Sequence, residues 1–594
     1  MNVRHSSTRK RLKGIAVSPG IIIGKSHLVD RSSVKILYQY LINDKQLHRE
    51  VERFEAALDK TERQLNCLKH QLPNHVREHA YILDSHTMIL KDSMLKDSTI
   101  KRILSEKINA EWALKKSLEE IRRVFEEIQD LYIRTRIDDV ENVCERILRN
   151  LAGGNQPSLA DINGRVIIVA HDLSPADTTE LNISRVMGFI TNVGGRTSHT
   201  AIMAQALEIP AVVGLESVTA QVEEGDLLAV DGNTGEVIIN PDDNDIILYQ
   251  ERQLQYEKYK SSIAKAGLLP AETLDGHLIT VKANIEFLEE VAAVRDHGGE
   301  GIGLYRTEFL YLRSRGLPTE EELFEDYREV AEIMSPAPVT IRTLDLGGDK
   351  FASALEISKE MNPALGLRAI RFCLKEKEIF KTQLRAIYRA SAYGHVHLMF
   401  PMISGLQEVL DAKRILEEVK EDLDRENIPY DPQMQVGIMI EVPSAVALAE
   451  LLARHVDFFS IGTNDLIQYA LAIDRVNEHV AGMYQPFHPA ILRMIQQVVD
   501  AAGKTGIGVS LCGEMAGDPL CIPILLGLGI TELSMNSRSI PAIKRVIRAI
   551  SMEEAKRDFQ TASMLSTTQE VKDFISGRMR DLLPDLDIQK HLDA

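Results

Sequence analysis

The run GGRTSHTAIMAQALEIPAVVG, residues 194–214, sets His199 just behind hydroxyl side chains and ahead of an apolar, helix-like stretch. Gly194 and Gly195 let the backbone turn sharply and come close to a ligand. A histidine at a helix start faces unpaired backbone N–H groups and the positive end of the helix dipole, both suited to a phosphoryl group. An isolated histidine is more often structural, so the motif around it carries the weight.

A second set of reactive side chains ends short apolar runs in the C-terminal half. They are Arg306 and Glu308, Arg342 and Asp345, Glu441, Asn464 and Asp465, and Cys512 and Glu514. Arg475 follows Asp465 by ten residues, and Arg368, in LGLRAIR, is a weaker candidate. Guanidiniums grip oxyanions bidentately, and two carboxylates with water and substrate oxygens are a common way to hold Mg²⁺. A thiol with a pKa near about 8.5 can serve as a general acid. Each has a plainer reading: a surface ion pair for an arginine, a structural salt bridge for Glu308 or Asp345, a small buried hydrophobe for Cys512.

The elements that must position these residues are legible. Eight short apolar runs, at 280–287, 301–309, 339–347, 395–403, 436–444, 458–466, 508–514 and 532–536, alternate with helical patterns. That alternation predicts a (β/α)8 barrel, whose chemistry sits at the carboxyl ends of its strands. Upstream, GIAVSPGIIIGKSHLV reads as strand, turn and strand. It is not read as a signal peptide, because Pro19-Gly20 breaks it and no small-residue cleavage site follows. Apolar stripes then recur at helical spacing: Leu47, Val51, Phe54, Leu58 and Leu65, next Leu114, Leu118, Ile121 and Phe125, and last Val140, Val143, Ile147 and Leu151. Strand-like runs return at 165–170, 186–191, 210–215, 227–232 and 236–241.

The expected organisation is multidomain α/β. Residues 1–35 and 157–241 form one β-rich α/β domain, with a helical bundle inserted at 36–156. A charged linker helix covers 242–267 and the barrel 268–594.

The histidine motif resembles the phosphohistidine segment of the phosphoenolpyruvate-utilising enzymes, and within them the enzyme I group of the bacterial sugar phosphotransferase system. GIAVSPGIIIG (14–24), GIGLYRTEFLY (301–311), IGTNDLIQYALAIDR (461–475) and LCGEMAGDP (511–519) agree with that group, in its order. The resemblance implies that His199 is phosphorylated and that Arg306, Arg342, Asn464, Asp465 and Arg475 bind phosphoenolpyruvate. It implies Glu441 and Asp465 as ligands of Mg²⁺, and Cys512 as the proton donor to the enol carbon. It further implies the carrier protein HPr as acceptor, docked on the bundle, a histidine domain that swings between bundle and barrel, and a homodimer through the barrel.

Composition narrows the rest. The 594 residues are 44% hydrophobic and 26% charged, an ordinary globular mix, with a formal net charge of −18. That charge argues against nucleic-acid partners, and no apolar run approaches the ~18 residues of a membrane helix. The five cysteines are unpaired in spacing, which suits a reducing, cytoplasmic setting. The rival enzymes, a pyruvate phosphate dikinase or phosphoenolpyruvate synthase, need an ATP-binding domain. About 190 residues precede His199 and contain no GxxxxGK[ST] loop. A non-catalytic scaffold would be expected to lack His199, Arg306, Glu441 or Cys512, and all are present.

Overall fold

The computed structural model describes residues 9–29, 39–40, 43–71, 80–126, 137–152, 164–173, 185–195, 198, 200–201, 204, 209–313, 317–346, 362–474 and 480–584. The chain divides between Lys258 and Tyr259 into two compact units.

The first unit holds an eight-stranded sheet in the order β1-β8-β7-β3-β4-β5-β6-β2. Its strands are β1 (Lys10–Lys13), β2 (Ile15–Ser18), β3 (Ile21–Val29), β4 (Val166–Ala170), β5 (Val186–Thr191), β6 (Ala211–Val213), β7 (Leu227–Asp231) and β8 (Glu236–Ile239). The central strand β4, VIIVA, is buried at every residue, as expected of a β-branched run covered on both faces. It runs parallel to β3 and β5, whereas β7 and β8 return as an antiparallel pair.

Between β3 and β4 the chain forms helices α1 (Asp44–Gln71), α2 (Ala80–Lys91), α3 (Ser93–Glu106), α4 (Ala110–Glu126) and α5 (Ile137–Ala152). Their apolar stripes meet in a separate core around Phe54, Leu65, Ile103, Leu114, Val143 and Ile147. Helix α6 (Asp243–Gly267) follows β8.

The second unit is a closed barrel of eight parallel strands. They are β9 (Thr280–Ile285), β10 (Ile302–Arg306), β11 (Val339–Arg342), β12 (Val396–Phe400), β13 (Val436–Ile440), β14 (Phe458–Ile461), β15 (Gly508–Leu511) and β16 (Glu532–Asn536). Closure occurs where β16 pairs with β9, Leu533 opposite Val281. Each strand matches one of the eight apolar runs, and the side chains that follow the strands share the carboxyl end. Among the described residues no helix is long and apolar enough to cross a membrane.

Candidate active site

Arg306, the last residue of β10, points its Nη1 at Glu286 Oε1, 2.7 Å away, just beyond β9. Arg342, the last residue of β11, is buried. Its guanidinium donates to Glu308 through Nη2, and its Nη1 lies 2.9 Å from Asp345 Oδ2. The other oxygen of Asp345 accepts from Arg368 Nη2 at 2.8 Å. Arg368 Nη1 donates to the Tyr469 hydroxyl at 3.3 Å and lies 3.7 Å from Asp465 Oδ1. Glu308, Arg342, Asp345, Arg368 and Asp465 thus form a line of alternating charge across the barrel mouth. Such pairing holds the guanidiniums in place before any anion arrives.

Glu441 follows β13 and is 1% exposed. Its Oε1 accepts the Met402 N–H at 2.6 Å. Burial, then repulsion from Asp465 and Asp345, pushes its carboxyl up to about 8 against the pull of Arg342. The strand-end glycine Gly462 makes room for it: a Cβ there would stand 2.8 Å from Glu441 Oε2.

Among the described residues five carboxyl groups, those of Glu286, Glu308, Asp345, Glu441 and Asp465, outnumber the three guanidiniums of Arg306, Arg342 and Arg368 at the mouth. That excess fits a divalent cation. Among the described residues no three His, Cys, Asp or Glu side chains gather as a ligand set. Mg²⁺ commonly takes one or two carboxylates and fills its octahedron with water and substrate oxygens, a requirement that a pair such as Glu441 and Asp465 could meet.

Asn464 opens the helix Thr463–Leu471 that follows β14. Its Nδ2 donates to Glu514 Oε1 at 3.0 Å, and its Oδ1 accepts the Glu514 N–H at 2.9 Å and the Tyr484 hydroxyl at 3.2 Å. Cys512 follows β15 and packs with Leu304, Met399 and Met439. Burial pushes its thiol up to about 11. Such a thiol keeps its proton at neutral pH, as a donor must. Its Sγ–H points to the Ile461 carbonyl at 3.6 Å. A cavity of about 350 Å³ is lined by Cys512, Glu514, Asn284, Glu286 and Arg306 among others. A larger groove of about 690 Å³ in the first unit is lined by Arg11, Lys13, Asp231 and Arg252 and contains none of the candidate residues.

His199 and Arg475 lie outside the described residues. Described residues on either side of His199 make their own contacts. Gly194 has φ +120°, a backbone that side-chain-bearing residues rarely adopt. Ser198 Oγ accepts the Ala201 N–H at 3.3 Å, and Thr200 Oγ1 donates to Asp172 Oδ1 and to the Leu173 carbonyl, each at 3.1 Å.

Sequence reasoning passed over Glu286, Tyr469 and Gln383. Glu286 sits one residue past its strand, as Glu441 and Cys512 do, in a run with no neighbouring motif. Gln383 left one signal: it lies on the apolar face of its helix, three residues after Phe380 and four before Ile387. Cys144, Cys373 and Cys521 are buried, and burial raises each thiol far above its ordinary value.

Residues 13–136 match the N-terminal domain of PEP-utilising enzymes, residues 162–235 their mobile domain and residues 260–552 their PEP-binding domain. The chain is 43% identical over 567 residues to a Staphylococcus carnosus protein named phosphoenolpyruvate-protein phosphotransferase, covering 95% of this chain and 98% of that one. It is 44% identical to the Bacillus subtilis protein of the same name, covering 95% and 99%. A solution structure titled as Enzyme I is 40% identical over 41% of this chain and 99% of its own, with a TM-score of 0.36.

Proposed function

The chain belongs to the PEP-utilising enzyme family, among the phosphoenolpyruvate-protein phosphotransferases, and from that premise we propose its reaction. It transfers the phosphoryl group of phosphoenolpyruvate to its own His199 and then to a histidine of the carrier HPr, releasing pyruvate. This is the entry step of a sugar phosphotransferase system in the cytoplasm.

The observation that carries this reading is the charge line at the barrel mouth together with the cavity that Arg306 and Cys512 line. Phosphoenolpyruvate brings a phosphate and a carboxylate on a three-carbon frame. Arg306, Arg342, Arg368 and Arg475 bind these oxyanions, and Asn464, oriented by Glu514 and Tyr484, orients the substrate. Glu441 and Asp465 would hold Mg²⁺, which would supply positive charge to the phosphoryl group.

Neutral His199 attacks phosphorus as the bond to the enol oxygen breaks, and the arginines stabilise the charge that develops. The electron pair passes to the enolate. Its methylene carbon takes a proton from Cys512, which is restored from water. HPr docks on the bundle of α1–α5, and the histidine domain alternates between bundle and barrel. A second copy of the chain pairs through the barrel.

Radiolabelled phosphoenolpyruvate and purified HPr test the scheme. An acid-labile, base-stable label is expected in a peptide containing His199, chased into HPr, and none in His199→Ala. A label in any other peptide sinks it.

A further inference from the structure

Gln383 sits in the helix Lys377–Ser391, between β11 and β12, and is fully buried. A buried primary amide is costly unless its donors and acceptor are satisfied. Here every one of them serves the barrel mouth or its wall. Gln383 Oε1 accepts the Leu344 N–H at 2.9 Å. Its Nε2 donates to Thr307 Oγ1 at 2.9 Å and to the Tyr327 hydroxyl at 3.2 Å. Thr307 Oγ1 passes the relay on, donating to the Arg342 carbonyl at 2.8 Å.

The partners are not random backbone. Thr307 stands between Arg306 and Glu308, and Leu344 precedes Asp345. One amide and one hydroxyl therefore tie together the segments that carry Arg306, Glu308, Arg342 and Asp345. Parallel strands β10 and β11 pair only up to Arg306 and Arg342. Beyond that point the backbone leaves the ladder, and the Gln383–Thr307 relay takes over its registration.

We propose that Gln383 and Thr307 are positioning residues for phosphoenolpyruvate binding. They set the spacing of the Arg306 and Arg342 guanidiniums without touching the substrate. A binding site for two oxyanions on a small frame is sensitive to such spacing, because shifts of about 1 Å misalign bidentate contacts. The proposal rests on the phosphoenolpyruvate-dependent reading given above.

The test compares Thr307→Val, Thr307→Ser and Gln383→Met in the full-length protein. The valine keeps shape and removes the hydroxyl, the serine keeps the hydroxyl, and the methionine keeps length and removes the amide. Thr307→Val and Gln383→Met should raise KM for phosphoenolpyruvate about tenfold, with a smaller change in kcat. Thr307→Ser should return KM to within about twofold of the parent. Phosphoryl exchange between phospho-HPr and His199, which uses the first unit, should stay at the parental rate in all three.

Unchanged KM in Thr307→Val overturns the proposal. So does a Thr307→Ser that behaves like the valine, or a loss of exchange equal to the loss of phosphoenolpyruvate turnover. Should Gln383→Met not fold, the Thr307 pair decides alone. A parent protein that ignores phosphoenolpyruvate refutes the proposed function instead.

Discussion

At the scale of single residues, two carboxyl-end groups have titration properties that lead to measurements. In the proposed reaction the Cys512 thiol acts after or during P–O cleavage and would contribute little to holding the ground state. Cys512→Ala should lose turnover by about 10²–10⁴-fold while phosphoenolpyruvate affinity stays near the parental value. Pyruvate formed by the mutant in tritiated water should lose its facial selectivity. Normal turnover and stereochemistry would return Cys512 to the class of buried thiols. Glu441 predicts a pH effect of definite sign. Its folded-state carboxyl, raised from 4.5 to about 8, binds a proton that the unfolded chain releases. In chelator the barrel should lose stability as pH rises from about 4.5 to about 8. Glu441→Gln should flatten that slope, and Mg²⁺ should stabilise the parent more at pH 8 than at pH 6. A melting temperature insensitive to pH in chelator would contradict the crowded-carboxylate reading. Sequence alone shows Glu441, Asp465 and Arg342 because strand-end positions in a barrel are enumerable. It does not show which carboxylate opposes which arginine. Asp345 reads equally as a salt-bridge partner, and here it bridges Arg342 and Arg368.

At the scale of elements, all eight barrel strands are legible because each falls in a short, mostly apolar run followed by polar residues, and no other period competes. Helices α2 and α3 have no such clarity. In α3 the buried line is Leu95, Thr99 and Ile103, and its middle residue is polar. Thr99 is satisfied by the Leu95 carbonyl and the Ser117 hydroxyl, contacts that no linear pattern reveals. Strand β1 is the other case. KRLK reads as a basic stretch, yet it pairs with β8 as the edge of the sheet, where lysines are common. Its charges have a further target in the first turn of α6. Arg9 grips Asp245 through Nε at 2.6 Å and Nη2 at 2.7 Å, and Arg11 adds a third bond at 2.9 Å. Those bonds, led by the one from Arg9, hold the Asp245 carboxyl down at about 2. A depressed carboxylate stabilises the fold above its unfolded pKa and loses that contribution as pH falls through the folded one. Asp245→Asn should therefore cost about 1–2 kcal/mol at pH 7 and progressively less below pH 4, by denaturant titration of the first unit. An equal cost at pH 7 and pH 2.5 would show that the pairing is not what matters.

At the scale of the whole molecule, two half-reactions are assigned to two units, and each unit has its own interior. The apolar clusters of the first unit draw on residues from Leu12 to Tyr256, and those of the second on residues from Ala271 to Leu583. A chain that buries enough apolar surface within one segment folds without its neighbour. The first unit also contains the sheet that supports the His199 segment and the bundle assigned to HPr, whereas the arginines, Glu441, Asp465 and Cys512 all belong to the second. A fragment ending at Lys258 should therefore unfold cooperatively and exchange phosphoryl groups with phospho-HPr. It should fail to react with phosphoenolpyruvate at any Mg²⁺ concentration. In the full-length protein the same division predicts that Mg²⁺ should be essential for phosphorylation by phosphoenolpyruvate and dispensable for transfer to HPr. Chelator added after phosphoenzyme has formed separates the two steps, since transfer then proceeds while rephosphorylation stops. If chelator halts both steps equally, the metal acts beyond Glu441 and Asp465. If the fragment stays unfolded, the two interiors are not independent. If it folds but cannot exchange with phospho-HPr, the carrier site needs residues beyond Lys258, and the assignment of HPr to the bundle fails.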